Sequence, residues 1–122
     1  HGFFLWGNSD NGFASSISAD ASSTATVSDN NSVALINENG EIIDALAWGT
    51  GHINPFIEGS STPIVLGASE SYERLSFFSG GCQTASGSNE NKGNGCDNGN
   101  NSSDFEKRLI STPQSFISAI EP

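Results

Sequence analysis

Positive charge is scarce in this sequence. Four Lys and Arg residues stand against 14 Asp and Glu, a formal charge of −10 over 122 residues. Such a surface repels phosphate backbones, which argues against unaided nucleic-acid binding. Long apolar runs are also missing, so no segment reads as a membrane-spanning helix. Methionine is absent, and hydrophobic residues make up only 34% of the chain, which leaves a small core and many loops. Strong helix formers are few among the Ser, Thr, Asn and Gly, and there is no internal repeat and no amphipathic helical stretch. Chemistry is thinly represented too. Serine is abundant but never sits in a G-x-S-x-G elbow, and the glycines lie in Asn/Ser tracts, not between a strand and a helix, so no phosphate loop forms. No signal-peptide pattern stands at the start, so a secreted protein would appear here in processed or truncated form.

What is present is a strand pattern. Ser32 to Gly49, SVALINENGEIIDALAWG, reads as two strands joined at Asn39-Gly40. Asn-Gly is the strongest signal for a two-residue type I′ turn, which needs positive φ at both residues. That turn sets Glu38 opposite Glu41, Ile36 opposite Ile43, Leu35 opposite Asp44, Ala34 opposite Ala45 and Val33 opposite Leu46. Both faces are then apolar, so the hairpin should be covered on both sides for much of its length. Asp44 is the odd member. It reads as a carboxylate accepting backbone N–H groups at a strand end, with a catalytic or metal role as the sharper alternative.

Shorter strands are expected at Phe3–Trp6, Glu70–Phe78 and Asp104–Ile110, with an apolar tail at Phe116–Ile120. Phe13 to Asp29 reads as a surface loop with at most one edge strand. Turn clusters separate these pieces, which points to one all-β domain over residues 1–122, a β-sandwich with long Asn/Gly/Ser-rich loops. The aromatics Phe3, Phe4, Trp6, Trp48, Phe56, Phe77 and Phe78 read mainly as core. Trp6 and Phe56 flank turns and are the candidates for exposure or sugar stacking.

Ser79 to Ser103 is different, because seventeen of its 25 residues are Gly, Ser or Asn. Such a segment buries too little apolar surface to order itself. It nevertheless contains both cysteines. A Cys82–Cys96 disulfide would close a 15-residue loop and stabilise by about 3 kcal/mol in the chain-entropy account. Asp97, Asn98, Asn100, Asn101 and Asp104 offer oxygen ligands at short spacing, which suits calcium, although the sixth-position glycine and closing glutamate of an EF-hand are missing. The competing reading is a turn whose side chains satisfy backbone groups. His1 and His52 form a third candidate site, since an N-terminal histidine with a second imidazole suits copper.

Taken in order, Gly2-Phe3-Phe4-Leu5-Trp6-Gly7-Asn8, the Ser32–Gly49 hairpin, Glu58-Gly59, Glu73-Arg74 and the Cys96–Phe105 run CDNGNNSSDF resemble the lamin tail domain of secreted bacterial and archaeal proteins. The hairpin resembles the family's "ALxDxxGxVVDxVxWG" strand pair, and the last run its "DNNxxDF" close. The resemblance implies an immunoglobulin-like β-sandwich with no catalytic residues. It also implies a non-catalytic extracellular or cell-surface module for binding, anchoring or assembly. The partners it implies are other protein chains or cell-surface components. The family's opening "E-aromatic-I-E-L-x-N" and "DLSGW" segments are not here. Those strands are expected from an upstream part of the polypeptide or from a neighbouring subunit through strand addition, with Phe116–Ile120 as a donor segment. The rivals are a copper-dependent oxidative enzyme using His1 and His52, and a calcium-stabilised carbohydrate-binding module.

Overall fold

The computed structural model of the chain describes residues 3–50, 54–63, 65–86, 89 and 92–120. They divide into two compact units, His1–Val27 with Ser111–Pro122, and Ser28–Ile110.

In the first unit, β1 (Trp6–Asn8) pairs in parallel with β2 (Ala21–Ser23), Trp6 opposite Ala21. Parallel strands need a crossover, and here it is a 3₁₀ turn at Asp10–Gly12 followed by a single helical turn, α1 (Phe13–Ser16). The strand starts at Trp6, later than Phe3, and runs through Asn8 into the expected turn cluster. The reason is side-chain hydrogen bonding. The Asp20 carboxylate accepts the Leu5 N–H at 2.7 Å, and Asn8 donates to the Ala25 carbonyl at 2.8 Å. Asp20 also accepts the Phe116 N–H at 3.0 Å, which ties the last segment to the first.

The second unit is built on the hairpin of β3 (Asn31–Ile36) and β4 (Ile42–Trp48). Val33 faces Leu46, Ala34 faces Ala45 and Leu35 faces Asp44, as the sequence predicts. The turn differs. Only Gly40 of the Asn-Gly pair has positive φ, at 83°. The loop is a type I turn over Asn37–Gly40 closed by glycine in the left-handed region, with the Asn37 N–H donating to the Glu41 carbonyl at 2.9 Å. The asparagine at 37 selects this form. Its Oδ1 accepts the N–H groups of Asn39 and Glu41 at 3.0 and 2.9 Å. A three-residue loop offsets the register by one, so Asn37, not Glu38, meets Glu41. Ile36 consequently faces Ile42, and a bulge between Leu35 and Ile36 restores the predicted pairing further down.

Next come β5 (Ser71–Arg74), β6 (Ser76–Phe78), β7 (Gly81–Gln83), a second helical turn α2 (Asn101–Asp104) and β8 (Phe105–Arg108). β5 pairs with β8 and β6 with β7, both antiparallel. The single strand expected over Glu70–Phe78 is broken at Leu75. That residue donates its N–H to Asp104 and accepts from Cys96, both at 2.9 Å, so the chain changes partners there. Among the described residues the strands pair two by two, an all-β arrangement with two helices of one turn each.

The core is small and polar. Ala45, Ala47, Trp48, Ala85 and Cys96 are buried, but the largest fully buried side chains are Asn101, Thr62 and Asp104. Trp48 packs against Tyr72, ring centroids 6.0 Å apart, and donates its Nε1–H to the Ser28 carbonyl at 2.9 Å. The expectation that strand aromatics fill the core fails for Phe4 and Phe77, which are exposed, as Trp6 is; Phe56 is half-buried. The hairpin is not covered along its length either. Its Trp48 end is buried, while Val33, Leu35, Ile36, Ile42 and Ile43 are 45% to 65% exposed.

Candidate functional site

Alternation along β4 sends its odd-numbered main-chain groups away from β3, and two different devices receive them. Thr62 runs beside Trp48 as a short parallel bridge, donating to the Ala47 carbonyl at 2.9 Å and accepting the Gly49 N–H at 3.0 Å. Further along, the Asn101 side chain stands in for a strand. Its Oδ1 accepts the Ala47 N–H at 2.9 Å, and its Nδ2 donates to the Ala45 carbonyl at 2.8 Å. An amide carries a donor and an acceptor in the same geometry as a peptide group, so one side chain can continue the ladder. Asn101 also donates its own N–H to the Glu58 carbonyl at 2.9 Å. The Glu58–Ser60 segment approaches so closely that a Cβ on Gly59 would stand 2.9 Å from the Gly99 carbonyl oxygen.

The Cys96–Asp104 turn is ordered in the same manner. Cys82 and Cys96 form the predicted disulfide, Cα atoms 5.3 Å apart. The Asp104 carboxylate accepts the N–H groups of Asn98 and Asn100 at 2.9 and 3.0 Å, the Asn98 amide at 2.9 Å and the Ser103 hydroxyl at 3.1 Å. Burial opposes its charge, yet these hydrogen bonds together hold the carboxyl below its ordinary pKa. Asn100 caps α2, its Oδ1 accepting from Ser102 and from the Ser60 N–H, both at 3.2 Å. Asp97 accepts the Gly99 N–H at 3.0 Å. The five residues considered as calcium ligands are therefore brought together, and the side-chain oxygens of Asp97, Asn100, Asn101 and Asp104 accept N–H or O–H groups. These contacts are the ones the backbone-satisfying turn calls for. Among the described residues no group of His, Cys, Asp and Glu is arranged to hold a metal ion. His1 and His52 lie outside the described residues.

Asp44 does not end a strand on backbone N–H groups. It pairs with the guanidinium of Arg74. Arg74 also donates to the Cys96 carbonyl at 2.7 Å and lies 4.5 Å over the Phe105 ring, a cation–π contact. Its side chain is 11% exposed against 42% for Asp44, so the arginine is fixed in the protein and the carboxylate faces outward. These groups, with Val33, Leu35 and Leu46, line an open groove of about 340 Å³ on one face of the hairpin. Glu58 stands close by. Burial first, then the charges of Asp44 and Asp97, raise its pKa against the pull of Arg74. Sequence reasoning missed Arg74 as the groove's anchor. The available signal was arithmetic: none of the four cations precedes residue 74, so any paired acid of the hairpin had to reach one of Arg74, Lys92, Lys107 and Arg108.

No family model matches the chain, and neither the characterised proteins nor the solved structures searched contain a similar one.

Proposed function

We propose that the chain is a non-catalytic binding module of lamin-tail type, an immunoglobulin-like sandwich working outside the cell or on its surface. The observation that carries this reading is the hairpin itself. Five large aliphatic side chains, Val33, Leu35, Ile36, Ile42 and Ile43, stand exposed on one two-stranded element. Exposed apolar side chains gathered on one element mark protein interaction sites. Two further features support it. Four of the five segments that carry the lamin-tail resemblance meet in one unit, the opening Gly2–Asn8 segment lying in the other: Asn101 bonds the hairpin and Glu58, and Arg74 bonds Asp44 and Cys96. The disulfide suits an oxidising compartment. Among the described residues no helix is long and apolar enough to cross a membrane.

The test is selection of displayed peptides on the intact chain, with the Leu35→Asp variant as the counter-target. Leu35 is 65% exposed, so the variant keeps its fold. Peptides that bind the intact chain and not the variant support the reading. A selection that returns none overturns it.

A further inference from the structure

The two edges of the hairpin are not alike. The outward main-chain groups of β4 are met by Asn101 and Thr62. Because Ala47 points away from β3, the register makes Ser32, Ala34 and Ile36 the residues of β3 that point away from β4. The Ser32 N–H goes to Asn31 Oδ1 at 2.8 Å. Among the described residues, no other element bonds the main chain of Ala34 or Ile36, and β3 has no sheet neighbour besides β4. An edge with unused N–H and C=O groups templates pairing with another chain unless something blocks it. Over Asn31–Ile36 the strand carries no proline and no charge, and among the described residues the segment that reaches its edge does so at Ser32, whose Oγ accepts the Phe56 N–H at 3.3 Å.

The charge around this edge has one sign. The hairpin carries Glu38, Glu41 and Asp44 and no cation. Arg74 lies beneath it, already engaged by Asp44, Cys96 and Phe105. Lys107 and Arg108 are paired with Glu70 and Glu73, at 3.1 Å each. A second copy of so acidic a chain would be repelled here, whereas a basic segment would be drawn in. We infer that the β3 edge, with the adjoining groove over Val33 and Leu35, receives an extended cationic segment of another protein. Its main chain pairs with Ala34 and Ile36. Its alternate apolar side chains lie on Val33, Leu35 and Leu46, the face that Asp44 shares, and its lysine or arginine side chains meet Glu38 and Glu41 at the turn. Strand addition of this kind takes affinity from main-chain bonds and specificity from alternate side chains. The inference rests on the binding-module reading and adds the class of partner.

The experiment titrates the intact chain with three synthetic peptides of about nine residues. One alternates valine and lysine, one alternates valine and glutamate, and the third is the lysine peptide with a central proline. The lysine peptide should bind, slow amide exchange at Ala34 and Ile36, and weaken as salt rises from about 50 to about 500 mM. Leu35→Lys and Glu38→Lys should each weaken it about two- to fivefold or more. The proline peptide, which lacks a central donor, should lose most of the affinity. Equal binding of the glutamate peptide would overturn the charge class and leave the binding module standing. Lysine-peptide binding that Leu35→Lys does not weaken, without protection of Ala34 and Ile36, is unspecific attraction and overturns the site. Self-association in native mass spectrometry that is lost in Leu35→Asp would assign the edge to a second copy instead. Failure of all three peptides, together with an empty display selection, would remove both readings.

Discussion

Replacing Asn101 by alanine would leave the Ala47 N–H and the Ala45 carbonyl without partners in a site of zero exposure. Each buried group so orphaned costs 1–3 kcal/mol, so we expect a loss of about 3 kcal/mol or more, read as a lower midpoint in urea with an unchanged slope. A loss under about 1 kcal/mol would mean that water replaces the amide. Two carboxyls of the same neighbourhood respond to pH in opposite senses. Asp104 has a folded-state pKa below its unfolded one. Its stabilisation is present above the ordinary carboxylate range and disappears as pH falls through the lower folded value. Asp104→Asn should therefore flatten the acid limb of the stability profile. Glu58 has a raised folded-state pKa. Its contribution is present below the ordinary glutamate value and disappears as pH rises through the raised one. Glu58→Gln should stabilise at neutral pH and change nothing below about pH 4. Thermal melts across pH 2 to 8 check both signs.

At the level of elements, the hairpin shows where sequence is informative and where it is not. Apolar alternation and an Asn-Gly dipeptide placed Val33, Ala34 and Leu35 opposite their observed partners. The turn type was misread because Asn-Gly fits two loops equally. It can be both central residues of a type I′ turn, or the last two positions of a type I turn closed by a left-handed glycine. Asn37 decides between them, through an Oδ1 that reaches Asn39 and Glu41. A displaced loop and a compensating bulge then cancel, which no pattern of apolar residues reveals. The difference is measurable. Asn39→Ala should be nearly neutral, since Asn39 has negative φ, where a type I′ turn would make it costly. Asn37→Ala should cost about 1 kcal/mol by removing two acceptor contacts. Gly40→Val should cost more than about 1 kcal/mol although nothing lies within 4 Å of its Cβ position, because the penalty is one of backbone conformation alone. Equal effects at Asn39 and Gly40 in chemical denaturation would restore the type I′ turn.

Across the whole molecule, composition announced a small core but not its nature. The strand aromatics were expected inside, whereas the largest fully buried side chains are Asn101, Thr62 and Asp104. Side chains take the place of strand neighbours throughout: Asn101 for β4, and Glu106 and Arg108 for Ala85, whose N–H and carbonyl they bind at 2.6 and 2.5 Å. Such long-range side-chain contacts leave no periodic trace in a sequence, which is why the Gly/Ser/Asn-rich segment looked unable to order itself. The cysteine pair was legible, because two cysteines flanking a loop have few alternatives. Its weight can now be divided. Cys96 is also held through its N–H by Leu75 at 2.9 Å and through its carbonyl by Arg74 at 2.7 Å, while Cys82 sits on the short β6–β7 pair. Reduction should add two hydrogens to the intact mass and cost about 3 kcal/mol or less. The loosening should be uneven: amides of β6 and β7 should lose protection first, with the Asp104 turn retained. The unit containing β1 and β2 has no cysteine, so its amides should exchange at the same rate with and without reductant. Uniform loss of protection across both units on reduction would show that the disulfide holds the entire chain and that the polar contacts around Asp104 cannot stand without it.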